Sequence, residues 1–188
     1  MGNRFEQPAV YLQSGDPETE NAPTLAYPGL LGVRFTVIQP SRSTPGVKAG
    51  RSKRYQIVQT DSSMTVAPFP GAVAWWSDQS KYLVTTTSPS VAVGRNRIAG
   101  TFQNAITPGN YGCVLITGPG TVKLIDGVNQ GNVVVGAFIV PSSTNAKADV
   151  VATATAPTQT PIGMVESPLT FNTTDLTVVV DHQVPETT

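Results

Sequence analysis

Few residues in this chain have types and spacings that suit chemistry, and each has a structural reading beside the chemical one. The sole histidine, His182, follows Asp181 in VVVDHQVPETT, a pairing that a proton-transfer dyad would use. Its position six residues from the end of the sequence favours a solvated terminus instead. Asp61 and Asp78 flank the tandem Trp75-Trp76, and two carboxyls beside an indole platform would suit glycoside hydrolysis. Consecutive residues of a strand face opposite sides, however, so one indole is expected in the core and the other at an interface. The only cysteine, Cys113, lies in the apolar run YGCVLIT and is expected to be a small buried hydrophobe. Gly118-Pro119-Gly120-Thr121-Val122-Lys123 has the outline of a phosphate loop, but no Lys-Ser/Thr pair follows the second glycine and Pro119 removes an amide that would bind phosphate. The chain contains no G-x-S-x-G, H-E-x-x-H, C-x-x-C, Walker or G-x-G-x-x-G pattern. The expectation is a non-enzymatic protein with no cofactor and no metal.

Charge placement says more than total charge. Twelve basic and twelve acidic residues cancel, so no net field would hold the protein on nucleic acid or an anionic membrane. Neutrality favours a subunit that works inside an assembly. Half of the bases, Arg34, Arg42, Lys48, Arg51, Lys53 and Arg54, fall between positions 34 and 54, around the loop QPSRSTPGVKAGRSKR. That loop has no interleaved aromatics of the kind that single-strand binders stack on bases. The first twenty residues hold Glu6, Asp16, Glu18 and Glu20 against one base, Arg4. An acidic arm and a basic loop could latch adjacent copies together.

The elements that would position these residues are strands. Charged residues make up only 13% of the chain, against 17 glycines and 16 prolines, a balance typical of turn-rich β proteins. Short β-branched and aromatic runs begin at Leu30: LGVRFTVI (31–38), RYQIVQT (54–60), GAVAWW (71–76), KYLVTT (81–86), RIAGTF (97–102), YGCVLIT (111–117), TVKLI (121–125), NVVVGAFIV (132–140), PIGMV (161–165) and LTVVVD (176–181). In the first of them Val33, Phe35 and Val37 share one face, as in a half-buried strand. YGCVLIT is apolar on both faces and reads as an interior strand. Thr107-Pro108-Gly109-Asn110 predicts a type II turn, Gly118-Pro119-Gly120 a second turn, and Asp126-Gly127 a third, so 104–127 reads as a small meander. The stretch 142–156 offers a helix cap and alanines, but its valines and threonines oppose a helix.

The predicted architecture is therefore all-β: a compact β-sandwich or β-barrel of about ten short strands over residues 30–181, preceded by an extended arm (1–29) and followed by a short tail (182–188). Four prolines and no sustained apolar period prevent the arm from folding on itself. Its apolar residues, Phe5, Val10, Tyr11 and Leu12 among them, suit docking on a neighbour. The start of the sequence lacks a signal peptide, no run of 18 apolar residues occurs, and Glu6 breaks a myristoylation pattern. A soluble protein with no membrane partner, made or assembled in the cytoplasm, is expected.

The order of KYLVTT, RIAGTFQNAITPGNYGCVLITGPGTVKLI and PIGMVESPLTFNTTDLTVVV resembles that in the decoration, or cement, proteins on the heads of tailed bacteriophages. The resemblance spans about residues 30–181, and the acidic arm and the basic loop depart from it. It implies a structural virion protein on the outer capsid surface, partnered by the major capsid protein and by its own copies as dimers or trimers, with no nucleic acid bound. Its interaction residues would be Phe5, Val10, Tyr11, Leu12, Arg42, Lys48, Arg51, Lys53, Arg54, Trp75 and Trp76. Trp75 and Trp76 also support a second expectation, a carbohydrate- or receptor-binding β module of a phage tail or fibre.

Overall fold

The computed structural model describes residues 16–25, 28–38, 52–89, 97–128, 130–152, 155–167 and 177–184. Ten strands carry the fold: β1 (Arg34–Ile38), β2 (Ser52–Thr60), β3 (Val73–Asp78), β4 (Leu83–Thr85), β5 (Ile98–Phe102), β6 (Tyr111–Lys123), β7 (Phe138–Pro141), β8 (Ala148–Val151), β9 (Gly163–Ser167) and β10 (Thr177–Gln183). Helix among the described residues is confined to short 3-10 turns, and β8 occupies part of the stretch whose alanines hinted at a helix.

Five strands close a barrel in the order β2-β4-β3-β5-β6, with β6 pairing back onto β2. Closure removes the unpaired edges that an open sheet would leave. All neighbours are antiparallel except β2 and β4, which run parallel through Gln59–Leu83 and Thr60–Val84. Outside the barrel β1 extends β2 through Arg34–Gln56 to Ile38–Ser52, while β10, β9, β7 and β8 continue outward from β6. A parallel bridge between Leu124 and Ala148 brings β8 back to the end of β6. The second group of strands thus curls onto the same long strand.

That strand corrects one expectation. Gly118-Pro119-Gly120 does not reverse the chain, and 111–117 and 121–125 are not separate strands of a meander; β6 runs straight through all 13 residues. The ladder with β2 passes from Arg54–Thr117 to Tyr55–Leu115, so Ile116 is the extra residue of a bulge, while Gly118, at φ 100°, Pro119 and Gly120 continue the strand in unbroken register with β10. At this bulge β6 changes partner, with Thr117 opposite Arg54 of β2 and also opposite Gln183 of β10. Pro119 lies opposite Asp181, beyond Thr117, the last residue of β6 paired with β2, an edge-like place of the kind where a sheet tolerates proline. The other two turns form as expected. The Asn110 amide donates to the Thr107 carbonyl at 3.0 Å with Gly109 at φ 91°, and Gly127 has φ 80°.

Alternation along β6 divides the core in two. Val114 and Ile116 join the main cluster, which extends from Val58, Trp75 and Phe102 through Val122 and Leu124 to Ile139, Ile162 and Val180. Cys113 and Leu115 face a smaller cluster with Leu30, Tyr55 and Ile57, covered by Leu25, Val33, Phe35 and Val37. Both faces of the strand are apolar because both are buried, and Phe35 stacks on Tyr55 with ring centroids 5.9 Å apart. A further correction concerns NVVVGAFIV, whose strand begins only at Phe138. Val134 to Ala137 form a turn closed by an Ala137 N–H to Val134 carbonyl bond of 3.0 Å, which leaves Val135 66% exposed.

Candidate functional site

Residues 16–25 cross the body as a strap. Ala22 and Tyr111 exchange two backbone hydrogen bonds, of 3.0 and 2.8 Å, in an antiparallel bridge at the start of β6. The Asn21 side-chain oxygen accepts from the Thr107 amide at 3.1 Å and from the Asn110 side chain at 2.9 Å, pinning the strap to the Pro-Gly turn. Asn104 donates its side-chain amide to the Glu20 carbonyl at 3.0 Å. Gly112 allows this approach, since a Cβ there would lie 3.1 Å from the same carbonyl oxygen and far closer to the Ile106 side chain.

The strap ends in a charged clamp over the smaller core. Glu18 Oε1 accepts from Lys53 Nζ at 2.5 Å and from the Tyr55 hydroxyl at 2.6 Å. Burial, reinforced by the Glu18 carboxylate, pushes the Tyr55 phenol far above its ordinary range, so it stays a donor. The acidic arm therefore meets the basic segment of its own chain at Glu18–Lys53, and Lys53, at 6% exposure, is a buried partner of the strap and not a surface contact. Cys113 lies beneath, and burial, then Glu20 and Asp16, raises its thiol well above the ordinary range. Replacing Glu18 by Ala strands a nearly buried ammonium and a phenol. Discounted for the part-exposed carboxylate, the expected cost is about 1–2 kcal/mol, with faster labelling of Cys113 by a thiol reagent. A variant with unchanged urea midpoint and unchanged labelling rate would show that the clamp holds nothing.

His182 is the largest departure from expectation. It belongs to β10 and is fully buried; it is not part of a solvated tail beginning at 182. Its Nδ1 lies 3.1 Å from the carbonyls of Gly118 and Val180, acceptors that require an Nδ1–H, so Nε2 accepts from the Thr101 hydroxyl at 2.7 Å. The chain continues outward, with the Gln103 side chain donating to Thr101 at 3.0 Å and accepting from the Thr121 amide at 2.9 Å. Both nitrogens are thus committed within the core. Burial drives the pKa down to about 4.

The carboxylates beside the tryptophans cap turns. Asp61 accepts from the Ser63 amide at 2.8 Å and hydroxyl at 2.7 Å, and from the Ser77 hydroxyl at 3.0 Å. Asp78 accepts from the Ser80 amide and hydroxyl, at 3.1 and 2.6 Å, and pairs with Lys81 at 3.2 Å. The Ser63 donors in one case and the Ser80 hydroxyl in the other lower both pKa values, the opposite of what a glycosidase's general acid needs. Trp75 and Trp76 do not divide between core and surface, since they are 0% and 6% exposed. Bulges at Ala74/Trp75 and at Trp76/Asp78 interrupt the alternation that would have turned one outward. Trp75 is a core residue and no contact site, while Trp76 lines a cleft of about 480 Å³ together with Gly32, Arg34, Gln56, Gln79 and Tyr82.

No protein-family model, curated protein or solved structure matches this chain.

Of the other expected contact residues, Arg54 lies in β2, whereas Phe5, Val10, Tyr11, Leu12, Arg42, Lys48 and Arg51 lie outside the described residues. Sequence reasoning missed Glu18 as the clamp, although an acid in a Pro-rich arm facing a basic cluster was the available signal. It also missed Tyr82 as a cleft wall, for which local sequence carries no signal. No described helix is long and apolar enough to cross a membrane.

Proposed function

We propose that this chain is a structural virion protein that binds the outside of an assembled tailed-phage capsid and stabilises it, acting as a cement protein through shape and contact without catalysis. The observation that carries the reading is the rooted strap. The fifteen residues ahead of Asp16, with Phe5, Val10, Tyr11 and Leu12, precede a segment tied to the barrel by a two-bond strand bridge and by the ion pair between part-exposed Glu18 and buried Lys53. A contact made by those residues would therefore be anchored on the barrel through the strap. The exposed Val134 and Val135 turn offers a second apolar contact at another place on the surface. Binding only the assembled shell stabilises it by mass action, and two modest contacts per copy, repeated over neighbouring copies in dimers or trimers, add as avidity. The major capsid protein is the partner in this reading, and the capsid surface is its location.

The test compares phage particles carrying the protein with particles lacking it, under heat or chelator. Decorated particles are expected to survive at higher temperature; equal survival, with no copies bound, would end the reading. Deleting residues 1–15 should leave the thermal unfolding of the isolated protein unchanged while weakening attachment to shells. Full attachment by the shortened protein would remove the arm from the mechanism.

A further inference from the structure

We infer that the cleft between β1, β2, β3 and the turn after β3 is a carbohydrate-binding site, with Tyr82 and Trp76 as its aromatic walls. The inference does not depend on the capsid reading and would hold for a free module as well.

Three local sacrifices of stability meet at this one cleft. Tyr82, 36% exposed, sits in the left-handed region at φ 50°, where a residue with a side chain costs roughly 1–2 kcal/mol. Strained non-glycine residues of this sort concentrate at ligand sites. Opposite, Gly32 leaves the room that the tyrosine ring fills, since any Cβ there would overlap that ring. Trp76 completes the group: its ring stands edge-on to Tyr82 with centroids 6.3 Å apart, and its buried indole N–H has no hydrogen-bond partner in the protein, a loss of about 1–3 kcal/mol. Tyr82 also caps the 3-10 turn Gln79–Lys81, its N–H donating to the Gln79 carbonyl at 3.2 Å, but neither that cap nor the packing of its ring on Gly32 calls for a buried, unpartnered indole N–H at the same place. A surface built to hold two aromatic rings in a set geometry does.

The lining selects the ligand. Beside the two aromatics stand a guanidinium, Arg34, and two side-chain amides, Gln56 and Gln79; Gln56 is itself buried and held by donating to the Gly32 carbonyl at 3.2 Å. Planar fork-shaped groups of this type hydrogen-bond adjacent hydroxyls, and aromatic walls accept an apolar ring face. A pyranose has both features, an apolar face and a rim of hydroxyls. A phosphate-rich ligand would ask for more than one cation, and a purely apolar one would desolvate the amides without return. The volume, about 480 Å³, falls in the range of small-molecule sites.

The experiment titrates the full-length protein with neutral oligosaccharides (cellotetraose, maltotetraose, chitotetraose) and with uronic-acid oligosaccharides from alginate and pectin, followed by two-dimensional NMR and calorimetry. At least one sugar should shift the amides of Gly32, Gln79, Ser80 and Tyr82 and the Trp76 indole; a preference for the uronic acids would assign the carboxylate to Arg34. Tyr82→Gly, which relieves the left-handed strain and should fold, and Gln79→Ala should each weaken binding at least about tenfold, or about 1.4 kcal/mol, with a cooperative unfolding transition kept in both. No shift with any of these sugars at millimolar concentration, shifts confined to another face, or binding that survives Tyr82→Gly would overturn the assignment.

Discussion

Acidification from pH 7 to pH 4 is expected to destabilise the fold mainly through His182. In the unfolded chain its pKa is the ordinary 6.5, whereas in the folded protein burial holds it at about 4, helped by Lys53 and opposed by the Gly118 and Val180 carbonyls and by Asp181. Above pH 6.5 both states are neutral at this residue and it contributes no pH dependence. As pH falls below 6.5 the unfolded chain takes up a proton that the folded core refuses, so stability drops until about pH 4 and then levels off. At about 1.4 kcal/mol for each pH unit the loss is on the order of 3 kcal/mol, a large part of the stability of an ordinary domain. Protonation would also put a hydrogen on Nε2 where the Thr101 hydroxyl donates, forcing that hydroxyl to turn while it still accepts from Gln103. His182→Asn keeps a donor for the two carbonyls. It should be less stable at pH 7 by about 2 kcal/mol, yet its stability should fall less between pH 6.5 and 4 than that of the natural protein. Urea midpoints at pH 7, 5.5 and 4 measure both; parallel slopes in the two proteins would place the acid sensitivity elsewhere.

Substituting Gly118 by alanine is expected to cost about 3 kcal/mol or more. Part of the cost is backbone strain at φ 100°. The rest is steric, because the new Cβ would sit 2.3 Å from the Ser52 carbonyl oxygen and 3.1 Å from the Lys53 Cα, both backbone atoms of β2 that cannot swing aside. Gly127→Ala is the control: φ is 80°, but nothing lies within 4 Å of the added carbon, so only strain of roughly 1–2 kcal/mol remains. Thermal unfolding of the two variants separates the contributions. Similar losses in both would mean that the strand crossing at Gly118 relaxes without resistance.

The strands were legible wherever β-branched residues alternate, as in Val33, Phe35 and Val37, because period two follows from the pleat itself. YGCVLIT was also legible as an interior strand, since only burial on both faces tolerates such a run. Gly118-Pro119-Gly120 misled because the same residues that reverse a chain can also continue a strand, and which one forms depends on a partner strand some sixty residues away in sequence. His182 misled for a related reason: nearness to the end of the sequence says nothing about whether a terminal strand is covered. In the Trp pair, bulges on both sides of β3 broke the alternation that local reasoning assumed. Of the cleft, only Trp76 carried a signal. Tyr82 and Gly32 matter through each other, and a single sequence does not show that a glycine at 32 makes space for a ring at 82.

β6 belongs both to the closed barrel and to the outer strands, and the Leu124–Ala148 bridge returns those strands to its far end. Neither half of the sequence can melt on its own, because each would strip the other of its central strand. A tug on the Val134–Val135 turn passes through the Gly136–Val165 bond to β9, on to β10 and so to β6, at whose start the strap is bridged. A fastener subjected to pressure from below would have use for such a single stiff rib.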